Sequence, residues 1–115
     1  MTNVNQVKIL IRSLSVNQAW RGGRRFKTKE YKEFERTLGF LLPIHYPIPP
    51  SNLHLSMEVG FSNERSDLSN AIKAFEDVLQ TYYNFDDNRV YKITMEKRIV
   101  KKGEEYITFS IESAV

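Results

Sequence analysis

The sequence LHLSMEVGF at residues 53–61 decides the fold class, because its apolar and polar residues alternate strictly. Every second residue from Leu53 to Phe61 is apolar, and successive side chains of a strand point to opposite faces of a sheet. A strand with a single apolar face packs against a core on one side only. The pattern therefore predicts a sheet that has one buried face and one open face.

Three further segments alternate in the same way and predict three more strands. Their apolar residues are Val7, Ile9 and Ile11 in the first, Tyr91, Ile93 and Met95 in the second, and Ile107, Phe109 and Ile111 in the third. A turn at Lys102-Gly103-Glu104 joins the last two segments. We therefore expect these two strands to form an antiparallel hairpin.

Two segments have helical periodicity instead. The first runs from Thr28 to about Leu42, with Thr28 as a candidate N-cap and Pro43 as a stop. The second has apolar residues at steps of four and three, namely Leu68, Ile72, Phe75, Leu79 and Tyr82. We expect an α+β fold: a single small domain over residues 1–115, with a largely antiparallel or mixed four-stranded sheet packed with two helices.

Composition excludes several classes of protein. The chain has 115 residues, 41% of them hydrophobic, which is typical of one folded domain. No apolar run approaches the roughly 20 residues that cross a bilayer. The N-terminus lacks the charged start and apolar stretch of a signal peptide, so we expect a cytoplasmic protein with no membrane partner.

The sequence restricts the kind of metal site that the chain can form. It contains no cysteine, and its two histidines, His45 and His54, lack the spacing of zinc ligands. Surface or structural roles are the simpler interpretation of both histidines. Any metal must then be held by oxygen, which indicates Mg²⁺, Mn²⁺ or Ca²⁺.

Charge is distributed unevenly along the chain. Between Lys8 and Arg36 there are nine Lys or Arg and three Glu, while most carboxylates lie beyond Glu64. The net charge of +3 is by itself a weak argument for an anionic partner. A basic region beside an acidic cluster is, however, what a metal-dependent nuclease needs, because one neutralises phosphates and the other holds the metal.

The most basic stretch surrounds a Gly-Gly turn, which predicts a short hairpin or a flexible loop. Its cations, Arg21, Arg24, Arg25 and Lys27, are candidates for binding DNA phosphates. Trp20 and Phe26 fit either base stacking or packing in the core. A second basic cluster, Lys97, Arg98, Lys101 and Lys102, fits either DNA binding or protection of a sheet edge.

Polar residues of the second helix form the candidate chemical site. Asn70, Lys73 and Asp77 share a face away from the apolar stripe, and Asp67 and Ser69 lie at the start of the helix. The simpler interpretation is an N-cap at Asp67 or Ser69 and a surface ion pair between Lys73 and Asp77.

An acidic pair, Asp86-Asp87, directly precedes the third predicted strand. On its own it fits an ordinary turn. If the chain returns tightly after the helix, however, Asp87 and Asp67 could converge on one divalent ion. Such an ion activates water for attack on a phosphate, and Lys73 could steady the developing charge.

These residues together resemble a known family. The segment from Arg65 to Leu79, followed by Asp86-Asp87, is similar to the signature Asp-x-Asp-Asn-x-x-Lys-x-x-x-Asp-x-Leu, then Asp-Asp, of the RusA family of Holliday-junction resolvases. The opening from Leu14 to Thr28 and the ending from Lys97 to Gly103 also resemble that family.

The resemblance implies a function and a set of roles. RusA-family enzymes are homodimeric endodeoxyribonucleases of DNA recombination and repair, common in phages and prophages, which cut four-way junctions with Mg²⁺ by paired symmetric nicks. The resemblance implies that Asp67, Lys73 and Asp87 are catalytic. It also implies that Asp67 and Asp87 bind Mg²⁺, with Mn²⁺ as a substitute. Asn70 and Lys73 are expected to contact DNA, in the cytoplasm of a bacterial host or a phage-infected cell.

One position departs from the signature, because Ser69 stands where the family has its second aspartate. A water could join Ser69 to the metal, or Glu76 or Asp86 could compensate for the lost charge. The alternative is a catalytically impaired protein that binds branched DNA without cutting it. A small protein-interaction domain is the third class, and the basic loop argues against it.

Overall fold

A computed structural model describes residues 5–21 and 26–114 of the chain. Its strands are β1 (Val7–Ile9), β2 (Trp20–Arg21), β3 (Phe26–Lys27), β4 (Leu53–Phe61), β5 (Val90–Ile99) and β6 (Tyr106–Ser113). Its helices are α1 (Val16–Ala19), α2 (Lys29–Leu41) and α3 (Leu68–Tyr83), with a 3₁₀ turn at Asp87–Arg89. The predicted α+β class is confirmed: two long helices accompany a four-stranded sheet.

The main sheet is mixed, with strand order β1-β6-β4-β5. The β6 strand pairs antiparallel with β1 and β4, whereas β4 and β5 are parallel and are connected through α3. The predicted hairpin between the last two strands is therefore wrong, because β4 lies between them. The alternation of apolar and polar residues indicates a strand but does not identify the neighbouring strand in the sheet. The segment around Gly103 connects β5 to β6 on the other side of β4.

One face of the sheet is buried by the two long helices. The buried side chains of β4 and β6 include Leu55, Val59 and Phe109, and they pack with Phe34 and Leu38 of α2 and Phe75 and Leu79 of α3. Both helical stripes therefore face the core as predicted. The opposite face carries polar residues, among them His54, whose Nε2 lies 2.8 Å from Thr94 Oγ1, so this histidine has a structural role.

The edge strand β5 departs from the predicted pattern. Tyr91 is 70% exposed and Ile93 45% exposed, and Met95 is only partly buried. Their alternation was expected to mark a buried face, but the helices cover the middle of the sheet and leave this edge open. This strand is thus paired on one side and exposed on the other.

Local signals fix the ends of both long helices. Thr28 caps α2, since its hydroxyl oxygen accepts from the Tyr31 amide at 3.2 Å, and α2 ends at Leu41, two residues before Pro43. The α3 helix ends at Tyr83, and its C-cap Asn84 is the one non-glycine residue with positive φ among those described. Within residues 5–21 and 26–114, no helix is long and apolar enough to span a membrane.

Candidate functional site

A pocket of about 240 Å³ opens where β4 ends and α3 begins. Carboxyl ends of parallel strands commonly form ligand sites in α/β units, and the β4-α3-β5 connection is such a unit. The residues of the pocket that carry charge are Arg12, Arg65, Asp67 and Glu105. The pocket therefore combines two carboxylates with two guanidinium groups.

Asp67 occupies the N-cap position of α3 without capping it. Its backbone is extended and its side chain makes no capping hydrogen bond to the helix amides. Asn70 instead donates from Nδ2 to Asp67 Oδ2 at 3.3 Å. Because Asp67 is exposed and its carboxylate is not used as a cap, the carboxylate remains accessible to a ligand. The simple N-cap interpretation therefore does not account for this aspartate.

The loop that carries Asp67 is held by the end of β5. The ammonium of Lys97 donates to the carbonyl oxygen of Ser66 at 2.6 Å and to that of Glu64 at 2.7 Å. The same ammonium lies 5.7 Å from the ring centroid of Phe61. Lys97 thus has a structural role in this loop.

Arg12 and Arg65 form the cationic side of the pocket. Neither guanidinium makes an ion pair with any of the described residues, and together with Lys102 they also line an adjoining cleft of about 450 Å³. The N-terminus of the 16-residue helix α3 adds partial positive charge at the same place. Glu64 and Glu105 also line the cleft, so its three cations exceed its carboxylates by one. The two arginines can fork onto phosphate oxygens.

Glu105 is the second carboxylate of the pocket, and it already has donors. The Ser62 hydroxyl donates to Oε2 at 2.7 Å, and the Gly103 amide donates to Oε1 at 2.9 Å. The Ser62 hydrogen bond is the main reason why the pKa of Glu105 is lowered, and Arg12 lowers it further. Glu105 therefore stays ionised beside Arg12.

Lys73 and Asp77 form a partly exposed ion pair, with Nζ 3.1 Å from Oδ1. This agrees with the simpler interpretation of the two residues. Lys73 lies six residues beyond Asp67, about 9 Å along the helix axis. Neither Lys73 nor the exposed Ser69 lines the Asp67 pocket.

The acidic pair lies at the other end of the molecule. Asp87 begins the 3₁₀ turn before β5, and β5 starts beside Leu53, the first residue of β4. Asp67 lies six residues beyond Phe61, the last residue of β4, and therefore at the opposite end of β4 and α3 from Asp87. The two aspartates are thus separated by about the length of one of these elements, on the order of 20 Å. The expectation that both converge within one chain is therefore wrong, because α3 returns the chain to the start of β4.

Glu76 lies on the Asp87 side of the helix. Burial raises its pKa, Lys73 lowers it, and the charges of Asp77 and Asp87 raise it further. Glu76 does not line the Asp67 pocket. It therefore does not replace the aspartate missing at Ser69 within one chain.

The predicted DNA-binding residues are only partly described. Arg24 and Arg25 and the side chain of Arg21 lie outside the described part of the structure, as do the side chains of Trp20 and Phe26. The flanking strands β2 and β3 pair antiparallel, as the hairpin alternative predicts. Lys27 is bound to Glu35 at 3.1 Å.

The described residues of one chain offer few ligands for a magnesium ion. Among the described residues, no group of three His, Cys, Asp or Glu side chains is placed to hold an ion. Magnesium usually takes one or two carboxylates and keeps several waters, so an accessible aspartate such as Asp67 suits it. A second carboxylate close to Asp67 oxygen atoms would complete such a site.

Sequence reasoning missed Arg12 and Arg65 as site residues. Arg65 precedes Asp67 by two residues, and its place before the helix could have indicated a role. Arg12 lies far from Asp67 in sequence and shares no motif with it, so only the fold brings it into the pocket. No local signal identifies it.

The fold and the pocket define a small α+β domain with an accessible aspartate in a pocket that two arginines also line. The family described as Endodeoxyribonuclease RusA matches residues 14–110, which is most of the chain. The chain therefore belongs to the RusA endodeoxyribonuclease family. No curated protein matched it.

Proposed function

We propose that this protein is a Mg²⁺-dependent endodeoxyribonuclease that resolves four-way DNA junctions by paired symmetric nicks in recombination and repair. The observation that carries the proposal is the accessible Asp67 carboxylate, which lies in one pocket with Arg12 and Arg65, two cations that make no ion pair within residues 5–21 and 26–114. A phosphodiester needs such cations, and a hydrolytic metal needs such a carboxylate.

Two copies of the chain form each active site in this proposal. Asp67 and Asp87 lie at opposite ends of α3, so a two-fold axis that joins two copies in antiparallel orientation can bring Asp67 of one beside Asp87 of the other. Each dimer then has two equivalent sites. Two such sites match the paired nicks that symmetric resolution of a junction requires.

Asp67 and Asp87 are the proposed metal ligands, with Asp86 as a neighbouring candidate and Ser69 acting through a water. A bound Mg²⁺, or Mn²⁺ in its place, supplies polarisation of the scissile phosphate and a water of lowered pKa. Asn70 orients Asp67 through its amide. Lys73 neutralises the charge that develops on the phosphate, while Asp77 sets the position of its ammonium.

DNA would reach the site along the cations of the cleft. Arg12, Arg65 and Lys102 line it, and the basic loop with Arg21, Arg24, Arg25 and Lys27 would contact the neighbouring arm. These contacts are electrostatic, so binding weakens as salt rises. The expected setting is the cytoplasm of a bacterium or a phage-infected cell.

A junction-binding protein that does not cut DNA is the second candidate. Ser69 replaces one expected carboxylate, and Lys73 is already bound to Asp77. Both observations reduce the charge available for chemistry, while the basic cleft is intact. This candidate shares the DNA surface and differs only in the reaction.

A gel assay with a labelled four-way junction and Mg²⁺ distinguishes the two candidates. Paired nicks by the wild type that disappear in Asp67→Asn support the nuclease. Binding without nicks, with cutting gained in Ser69→Asp, supports the binder. No binding to the junction even in EDTA, where cutting cannot remove the complex, contradicts both.

A further inference from the structure

The edge strand β5 exposes one complete side of its backbone and several apolar side chains. Among the described strands it pairs only with β4, and it is ten residues long. Tyr91, Ile93 and Ile99 are exposed beside it at 70%, 45% and 49%. Long edges of this kind pair with other strands unless something blocks them.

The two faces of β5 follow from its register with β4. Ile93 and Met95 pair with the buried residues Leu55 and Met57, so they lie on the helix-covered side of the sheet. Lys92, Thr94 and Glu96 pair with His54, Ser56 and Glu58 on the open side. This strand thus has an apolar row and a polar row at its middle.

Both rows are self-complementary about Thr94. In an antiparallel pairing of two copies of β5 with Thr94 opposite Thr94, Lys92 of each copy lies opposite Glu96 of the other. In the same register Ile93 lies opposite Met95. Opposite charges and apolar pairs across an antiparallel ladder are both stabilising, and the two-fold axis forms each pair twice.

We propose that β5 is the dimer interface of this protein and pairs antiparallel with β5 of a second copy about a two-fold axis at Thr94. The two four-stranded sheets then form one continuous eight-stranded sheet. The Lys92 ammonium makes no hydrogen bond or ion pair with the described residues of its own chain, so it is available to Glu96 of the second copy. Glu96 lies 3.2 Å from Arg98 on the exposed side and can accept from both cations.

This pairing also has the orientation that the proposed function needs, and to that extent it rests on that function. Lys97 near the end of β5 holds the residues before Asp67, while Asp87 precedes the start of β5. Antiparallel pairing places the end of one β5 beside the start of the other. Asp67 of one copy and Asp87 of the second therefore lie at the same end of the joined sheet.

Charge reversal tests the interface without DNA. Sedimentation velocity over a concentration series should show that Lys92→Glu and Glu96→Lys each raise the dimer dissociation constant at least about tenfold, because two attractive pairs become repulsive. The double variant should recover most of the affinity. Lys32→Glu and Glu104→Lys, exposed reversals outside β5, should leave the dissociation constant unchanged.

A disulfide tests the register independently. The chain has no cysteine, so Thr94→Cys introduces the only thiol, and oxidation should link two copies on a non-reducing gel. Glu104→Cys is the control and should link far less. Wild-type affinity in both single reversals, or equal linking of the two cysteine variants, would overturn the interface.

The nuclease proposal is measured separately, by junction cutting. If the single reversals weaken the dimer, the double variant recovers it, and the wild type never cuts DNA, the interface proposal is supported and the nuclease proposal is contradicted. A wild type that cuts junctions while both reversals leave its dimer affinity unchanged rejects the interface and keeps the nuclease.

Discussion

Lys97 Nζ lies 2.6 Å from the carbonyl oxygen of Ser66, the residue that precedes Asp67. This contact joins the end of the edge strand to the loop at the start of α3. It fixes the backbone immediately before the carboxylate that we assign to the metal. The position of Asp67 therefore depends on a residue 30 positions later in the sequence.

Removal of that contact should affect activity more than stability. Lys97→Met keeps an unbranched side chain and loses both hydrogen bonds, which should lower the free energy of unfolding by about 1 kcal/mol. We expect junction cutting to fall further than this small loss explains, because Asp67 is no longer held. Urea denaturation and single-turnover cutting measure the two effects, with Lys101→Met as the exposed control. Equal cutting activity of Lys97→Met and Lys101→Met would exclude a role for Lys97 in positioning Asp67.

The two pocket arginines should dominate the salt dependence of binding. Arg12→Ala and Arg65→Ala should each weaken junction binding and reduce the slope of log affinity against log salt by about 0.9, which corresponds to one phosphate contact. Titrations in EDTA measure binding without cutting. The exposed Lys32→Ala should keep the wild-type slope, and an unchanged slope in both arginine variants would place the DNA elsewhere.

Gly60 is required by the ring of Tyr106. A β-carbon at position 60 would come 2.4 Å from Tyr106 Cε1, and the ring is held by its hydrogen bond to Glu58 and by Lys8, whose Nζ lies 4.5 Å from the ring centroid. Gly60→Ala should therefore lower the free energy of unfolding by about 1–3 kcal/mol.

Gly39→Ala is the matched control for this substitution. Its β-carbon would meet no atom within 4 Å, and position 39 is exposed in α2. It should stabilise the protein by about 0.5–1 kcal/mol, because alanine favours a helix over glycine. Urea denaturation compares the two variants, and equal effects would contradict the steric account.

Glu76 should make stability depend on pH in a particular direction. Burial raises its pKa, so the folded protein holds this proton more tightly than the unfolded chain does. Its contribution is favourable below the unfolded pKa and is lost as the pH rises through the folded value. Glu76→Gln should therefore gain stability relative to the wild type over the pH range that begins near the ordinary glutamate pKa of about 4.3 and rises from there. Urea denaturation across this pH range measures the difference. A loss of stability in Glu76→Gln relative to the wild type as the pH rises would contradict a raised pKa of Glu76.

The elements could be predicted from sequence because their signals are local. Alternation over residues 53–61 and the helical stripe from Leu68 to Tyr82 both act within one element, and Thr28 and Pro43 mark the limits of α2. Strand order is not local, which is why the hairpin expectation for β5 and β6 was wrong.

The site was predicted less completely than the fold. The motif around Asp67 identified the start of α3, but the partners Arg12 and Glu105 come from distant segments that only the sheet brings together. The sequence also provides no information on the distance between Asp87 and Asp67 in the folded chain. Asp87 belongs to the same sequence motif as Asp67, but the two residues lie far apart in the folded chain because the 16-residue helix α3 separates them.

Complementation between two inactive variants tests the composite site most directly. Asp67→Asn and Asp87→Asn should each fail to cut a four-way junction. In a mixed dimer one site carries both changes and the other carries neither, so an equal mixture should recover about a quarter of the wild-type nicks, as single rather than paired cuts. If each site lay within one chain, every site in the mixture would carry a defect. A mixture that stays inactive while it still forms dimers and binds the junction would contradict the account.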